Sequence, residues 1–114
     1  MKNTEEMDGD RRRAVTAQAG AAHAFARLLL LCEKAEGGQA RHVARFVASV
    51  YNGDAFPFDL FLLRMVDVAI SDDMLVCLDA LRWGLADLYR LVPGGDGRVQ
   101  QVIKKWGMEW PQES

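Results

Sequence analysis

The chain has 114 residues, near the commonest size of a single domain, so one domain with one hydrophobic core is expected. Apolar residues make up 50% of the chain and charged residues 26%, a balance that excludes an intrinsically disordered protein. The formal net charge of −2 argues against attraction of the whole surface to nucleic acid or anionic lipid. Only a local basic patch remains compatible with such partners.

The two cysteines indicate where the protein resides. Cys32 and Cys77 both lie inside apolar runs, which is typical of small core residues rather than of a disulfide framework. A reducing cytosol suits such thiols. The polar, acidic N-terminus is unlike a secretory signal, and the longest strictly apolar run, Leu28 to Cys32, is far shorter than the roughly 20 residues that span a bilayer. The sequence therefore predicts a soluble cytoplasmic protein with no membrane partner.

The first third of the chain predicts a lead-in and a helix. Residues 1–12 are mostly polar and are interpreted as a flexible N-terminal lead-in. From about Arg13 to Ala35 the chain is rich in alanine and leucine and has no proline, which favours a helix. Gly37 and Gly38 end it. A single helical domain is expected over residues 13–107, with a C-terminal tail over 108–114.

The second predicted helix has the clearest apolar face. Four residues follow the helical spacing i, i+3, i+4 and i+7: Val43, Phe46, Val47 and Val50. Arg41 and Arg45 lie one turn apart on a different face, and Asn52 with Gly53 ends the helix. We therefore expect the four apolar side chains to be buried together.

A turn and a long helix are predicted next. Pro57 sets the backbone of the turn, and Asp59 is placed to cap the short apolar segment Leu60 to Ile70, which predicts one or two helical turns. A long helix is then expected from about Val68 to Val92, with Asp67 or Ser71 as its cap. Its apolar residues alternate spacings of three and four: Ile70, Met74, Leu78, Leu81, Leu85, Leu88 and Val92.

The end of the chain completes the predicted fold. Pro93, Gly94 and Gly95 stop the long helix, and a last short helix is expected from about Gly97 to Trp106, capped by Asp96. No alternating strand pattern occurs in the sequence. We therefore predict an all-α fold, a compact bundle of four to five helices around the long helix at about residues 68–92.

The sequence contains no recognisable catalytic or metal-binding motif. His23 and His42 have no histidine or cysteine three or four residues away, so they lack the spacing of metal ligands. Asp72 and Asp73 are adjacent on a helix and point about 100° apart, so they do not converge on a substrate. We expect no catalytic residue, no bound metal and no cofactor.

Basic and aromatic residues are the remaining candidates for partner binding. Arg41, Arg45 and the Arg11 to Arg13 cluster could contact phosphate, although acidic residues at positions 5–10 would neutralise the cluster. For the aromatic segment around Tyr51 to Asp59, two interpretations stay open: core packing beneath the turn, or anchors for a partner. The same alternatives apply to Trp83 and Tyr89. The candidate partner-binding residues are Arg41, Arg45, Tyr51, Phe56, Phe58, Trp83 and Tyr89.

One ordered set of residues resembles a known family. The set consists of Tyr51-Asn52-Gly53, Phe56-Pro57-Phe58-Asp59-Leu60, Leu63-Arg64, Asp67, Asp73-Met74, Leu78 and Trp106-Gly107. It is similar to a family of small bacterial proteins of unknown function that are encoded mostly on conjugative plasmids and integrated mobile elements. The resemblance brings no activity, cofactor or site residue. It implies an accessory protein of a mobile element, which would bind host or element proteins, modulate expression or inhibit a host defence system.

Three classes of function follow from these observations. The leading hypothesis is a non-enzymatic protein-interaction module, with another protein as partner and a homodimer also open. The second is a DNA- or RNA-binding regulator that uses Arg41, Arg45 and the Arg11 to Arg13 cluster. A small hydrolase or transferase ranks third, because the sequence offers no nucleophile–base pair.

Overall fold

The computed structural model describes residues 3–112, which form four α-helices and two short 3₁₀ turns. No β-strand occurs within this range, so the predicted all-α bundle is confirmed. The helices are α1 (Thr4–Lys34), α2 (Gly38–Tyr51), α3 (Val68–Trp83) and α4 (Gly95–Lys105). The first 3₁₀ turn is Leu60–Arg64 and the second is Leu88–Leu91.

The central element is α1. Its 31 residues correspond to about 46 Å of helix at 1.5 Å per residue, and the longest dimension of the molecule is 47 Å. It contacts α2, α3, α4 and the second 3₁₀ turn. The prediction that the bundle is built around a helix at about residues 68–92 is therefore wrong.

Helix α1 also begins earlier than about Arg13, the predicted start. Asn3 caps it by accepting a hydrogen bond from the backbone N–H of Glu6 at 2.8 Å. Ala14 is the first buried residue of the helix. The polar turns before Ala14 have no apolar stripe for a periodicity argument to detect, but once a helix is nucleated it extends at little cost.

Helix α3 ends nine residues before Val92, the predicted end. Gly84 adopts a left-handed conformation with φ of 68°, and its N–H donates to the Leu81 carbonyl at 3.2 Å. Leu81 and Leu85 are exposed, whereas Leu88, in the second 3₁₀ turn, and Val92, directly after it, are buried in the core. The apolar spacing in the sequence therefore continues past Gly84, although the helix itself ends there.

The core draws on all four helices, and the stripe predicted on α2 forms part of it. Val43, Phe46 and Val47 are fully buried, and Val50 packs against them partly buried, so this prediction is confirmed. Cys32 and Cys77 are also buried and unpaired, as predicted, and burial raises the pKa of both thiols to about 12.

One stretch of helix α1 is strongly apolar, in part because it supplies side chains to this core. An 18-residue window of α1 has a mean hydropathy of 1.3, which by length and composition alone would suffice to cross a membrane. The helix also contributes seven buried residues: Ala14, Ala21, Ala24, Phe25, Leu28, Leu29 and Cys32. These apolar side chains fill the centre of the bundle.

Polar contacts join α4 and the residue after it to the C-terminal end of α1. Arg98 of α4 makes a two-pronged ion pair with Glu33 of α1, with nitrogen–oxygen distances of 2.7 and 3.0 Å. The Lys105 ammonium and the Trp106 indole N–H both donate to the carbonyl of Cys32, at 3.1 and 2.9 Å. The end of α4 therefore satisfies the free carbonyls at the end of α1.

Candidate interaction surfaces

Two of the candidate aromatic residues pack inside the molecule. Phe56 is buried and meets the Trp110 ring edge-on at a centroid distance of 4.8 Å. Phe58 is half-buried and meets Phe46 edge-on at 5.4 Å. The core interpretation of this segment therefore describes both side chains, and the C-terminal tail packs over the turn through Trp110.

Tyr51 links three elements at one end of the bundle. Its ring lies 5.2 Å from that of Tyr89, and its hydroxyl donates to the Asp96 carboxylate. That hydrogen bond raises the pKa of Tyr51. The Gln100 amide in turn donates to the Tyr51 hydroxyl at 3.2 Å. Tyr51 and Tyr89 thus join α2 to the second 3₁₀ turn and α4.

Of the predicted helix caps Asp96 and Asp59, the first is wrong and the second is confirmed. Helix α4 begins at Gly95, so Asp96 lies in the first turn and not at the cap, where Gly94 stands without a side-chain hydrogen bond. By contrast, Asp59 caps the first 3₁₀ turn as predicted, since its carboxylate accepts from the Phe61 N–H at 2.9 Å.

Two arginines lie over the ring of Trp83. The guanidinium carbons of Arg13 and Arg82 are 5.2 and 4.5 Å from its ring centroid, a geometry that favours cation–π attraction. The indole nitrogen is buried, and no hydrogen-bond partner for it occurs among the described residues. Trp83 therefore ties the end of α3 to the early turns of α1.

The two arginines of α2 are exposed, as predicted. The Arg41 guanidinium lies 5.6 Å from the Trp106 ring centroid, and Arg45 lines a shallow groove beside Phe56 and Glu109. Within residues 3–112, no carboxylate forms an ion pair with either arginine. Both cations thus remain available to an anionic group outside the described chain.

The Arg11 to Arg13 cluster lies on the early turns of α1 among acidic neighbours. Arg12 and Arg13 line an open cleft of about 670 Å³ together with Glu6, Asp10 and Asp79. The cleft has mixed charge, which matches the expected neutralisation of the cluster by nearby acidic residues. A surface of mixed charge does not attract a polyanion by long-range electrostatics.

The most exposed apolar side chains lie where the sequence analysis proposed no site. Leu60, Phe61, Met65 and Val68 each expose between 61% and 74% of their surface. We call these four residues, together with Leu75 of α3, the apolar face. The residues Leu63 and Val66 from the same stretch pack against the core instead.

The apolar face extends over two neighbouring elements, the first 3₁₀ turn and α3. The first 3₁₀ turn contacts α3, and Val68, Asp72 and Leu75 follow the spacing i, i+4 and i+7 along the exposed side of α3. Sequence reasoning missed this surface because nearly every residue from 60 to 70 is apolar. Such a run has no polar positions to mark which side faces solvent.

Metal-ligating side chains do not cluster in the described residues. Within them, no group of three or more histidine, cysteine, aspartate or glutamate side chains is placed to hold a metal ion. His23 is exposed, while His42 is half-buried with its Nδ1 lacking a hydrogen-bond partner in residues 3–112. These two histidines lie on different helices, α1 and α2.

Comparison with known proteins gives a family and no activity. Searches of curated proteins and of solved structures find no match. A protein-family model matches residues 22–107, which include α2, α3, α4 and the C-terminal part of α1; its description is Family of unknown function (DUF7673).

Proposed function

Since the chain belongs to this family of unknown function, we propose from its own surface that it is a non-enzymatic protein-interaction module. In this proposal it acts in the bacterial cytosol as an accessory protein of a mobile genetic element, with a host or element protein as its partner. A host defence system is one such target. The mobile-element part is supported by the resemblance of the ordered residues between Tyr51 and Leu78.

One observation supports the interaction part: the exposure of Leu60, Phe61, Met65 and Val68 within nine residues of chain. Isolated apolar side chains on a surface are ordinary, whereas a cluster of large ones is typical of a protein–protein interface. Burial of apolar surface contributes roughly 25 cal/mol per Å², so covering this cluster would contribute substantially to an association free energy. Phe61 is the aromatic side chain best placed to be its anchor.

Affinity capture from the native host tests the proposal. The full chain and the variants Phe61→Ser and Leu30→Ser serve as baits, and captured proteins are quantified by mass spectrometry. Leu30 is the matched control, because it is an exposed apolar residue on α1, outside the apolar face. We expect one specific protein that is retained by the wild type and by Leu30→Ser and lost with Phe61→Ser, while circular dichroism stays unchanged. Identical capture by all three baits would contradict the proposal.

A DNA- or RNA-binding regulator is the second candidate function. It is favoured by the exposure of Arg41 and Arg45 and by the absence of an ion pair to either from a carboxylate in the described part of the chain. The two candidates differ in salt dependence, since phosphate contacts weaken steeply with ionic strength and an apolar interface does not.

A further inference from the structure

The charge of the chain is unevenly distributed. Residues 54–81 contain six aspartates and one arginine, a formal charge of −5, whereas the whole chain carries −2. The remaining residues therefore carry +3 together. All five residues of the apolar face lie within this acidic segment, so the four most exposed apolar side chains in residues 3–112 coincide with a strongly negative part of the chain.

Three of these aspartates have carboxylates that are not engaged within residues 3–112, and two of the three, Asp67 and Asp72, lie next to residues of the apolar face. Asp73 pairs with Arg27, and Asp79 pairs with Arg82. In contrast, Asp67 and Asp72 form no ion pair or side-chain hydrogen bond with any described residue. Both are exposed, and each is close to Val68 in the sequence.

Asp72 is the better placed of the two. On α3 it lies one turn after Val68 and about one turn before Leu75, so an unpaired carboxylate separates two exposed apolar side chains. A partner that covers Val68 and Leu75 would remove this carboxylate from water. Such burial is unfavourable unless the partner supplies a cation to pair with it.

This combination excludes two kinds of surface as occupants. Nucleic acid and anionic lipid both present phosphates, which a segment of charge −5 repels. An apolar partner without cations would leave the Asp72 carboxylate unpaired. The complementary surface is apolar in its centre and basic at its sides.

We propose that the apolar face binds an amphipathic helix of another protein, with lysine or arginine flanking its apolar stripe. This inference rests on the proposed function and specifies the chemistry of the partner. The apolar side chains of that helix, spaced i, i+3, i+4 and i+7, cover Phe61, Val68 and Leu75. A flanking cation pairs with Asp72.

The test uses the full chain and three synthetic peptides of about 18 residues, a length at which an isolated helix can form. One peptide has leucine on a single helical face and lysine on the other. The second replaces lysine with glutamate, and the third has the composition of the first in an order that gives no apolar face. Binding is measured by calorimetry at physiological salt and mapped by NMR on isotope-labelled protein.

We expect only the leucine–lysine peptide to bind, with the largest amide shift changes at Met65, Val68, Asp72 and Leu75. Phe61→Ser and Asp72→Lys should each raise Kd at least about tenfold, the usual effect of losing an interface anchor or a desolvated charge partner. Leu30→Ser and Asp87→Lys are the matched controls, since both residues are exposed and lie outside the acidic segment. They should leave Kd nearly unchanged.

Several results would overturn the proposal. Equal binding of the leucine–glutamate peptide would show that charge complementarity plays no part, and equal binding of the reordered peptide would show that a helical stripe is not recognised. No binding, or shifts confined to other surfaces, would also overturn it. Concentration-dependent dimerisation that Phe61→Ser abolishes would identify a second copy of this chain as the occupant.

The peptide experiment and the affinity capture can fail independently, so the basic amphipathic partner and the proposed function are tested separately. If the peptides do not bind but capture from the host still depends on Phe61, the apolar face is an interface and the basic amphipathic helix is the wrong partner. If capture does not depend on Phe61, the proposed function itself is contradicted.

Discussion

Phe46 and Phe61 are the same residue type in opposite environments. Phe46 is 1% exposed and packs edge-on against Phe58, while Phe61 is 66% exposed. The hydrophobic effect stabilises the fold only through the first of them, because only Phe46 leaves water when the chain folds.

Replacing each phenylalanine with alanine measures this difference. Phe46→Ala should lower the free energy of unfolding by roughly 3–5 kcal/mol, since it leaves a cavity that its neighbours cannot fill. Phe61→Ala is the control and should change stability by less than about 0.5 kcal/mol. Urea unfolding of both variants checks the prediction. A small effect of Phe46→Ala would mean that the α2 stripe is not a core element.

The Glu33 carboxylate gives stability a specific pH dependence. Its hydrogen bonds from Arg98 lower the pKa of Glu33 below the ordinary value of 4.5. A carboxyl whose pKa is lower in the folded state contributes stability above its unfolded pKa, and that contribution is lost as the pH falls through the folded pKa.

Glu33→Gln should therefore be destabilising only where the wild-type carboxyl is ionised. At pH 7 we expect the free energy of unfolding to fall by about 1–2 kcal/mol, the range for charge-assisted hydrogen bonds at a partly exposed site. The difference from wild type should shrink as the pH falls below about 4.5. Thermal unfolding at a series of pH values measures this. Glu109→Gln, at an exposed carboxylate outside the pair, is the control, and a difference that stays constant with pH would contradict the assignment.

At the scale of elements, α4 begins where its backbone nearly touches the second 3₁₀ turn. A Cβ built on Gly95 would lie 1.8 Å from the carbonyl oxygen of Tyr89, whereas one on Gly97 would have no neighbour within 4 Å. Both glycines are in the first turn of the same helix. Only Gly95 allows the two elements to approach this closely.

The two glycines should therefore respond oppositely to alanine. Gly95→Ala should lower the free energy of unfolding by about 3 kcal/mol or more, because the backbone of Tyr89 has to move. Gly97→Ala should raise it by roughly 0.5–1 kcal/mol, since alanine favours the helix and nothing obstructs its methyl group. Denaturant unfolding distinguishes these signs. Equal effects of both substitutions would mean that α4 and the second 3₁₀ turn are farther apart in solution.

For the whole molecule, the distribution of charge decides between protein and nucleic acid as the partner. The net charge of −2 provides no general attraction to a polyanion, so DNA binding would depend on a few exposed cations such as Arg41 and Arg45. Arg41 additionally stacks over Trp106, which gives its side chain a structural contact.

Reversing Arg41 and Arg45 to glutamate tests this dependence. We expect the helical circular dichroism to be retained and binding to random duplex DNA to be weak in the wild type and both variants. The control reverses Arg82 and Arg90, which are also exposed and give the same net charge. The nucleic-acid hypothesis would rank first if the wild type bound duplex DNA at micromolar affinity in physiological salt and only the Arg41/Arg45 reversal abolished it. The wild-type binding constant should then depend on salt, with a contribution of about one unit from each of the two arginines to the slope of log K against log salt concentration.

Local features of the sequence were sufficient for most of the secondary structure. The spacing of Val43, Phe46 and Val47 predicted the buried stripe of α2, and Asp59 predicted the cap of the first 3₁₀ turn. The apolar surroundings of Cys32 and Cys77 predicted their burial. These properties depend on neighbours within one or two turns of the chain, so the sequence alone determined them.

The tertiary structure decided which side chains are covered. Leu81 continues the apolar spacing of α3 but is exposed, and Phe61 and Leu63 differ in exposure although both lie in one apolar run. Tyr51, for which core packing and a partner contact were both open, contacts Tyr89 and Asp96 within the molecule. Burial depends on which distant segment lies over a residue, and local periodicity contains no information about that packing. The apolar face could therefore be recognised only after the four helices had been placed.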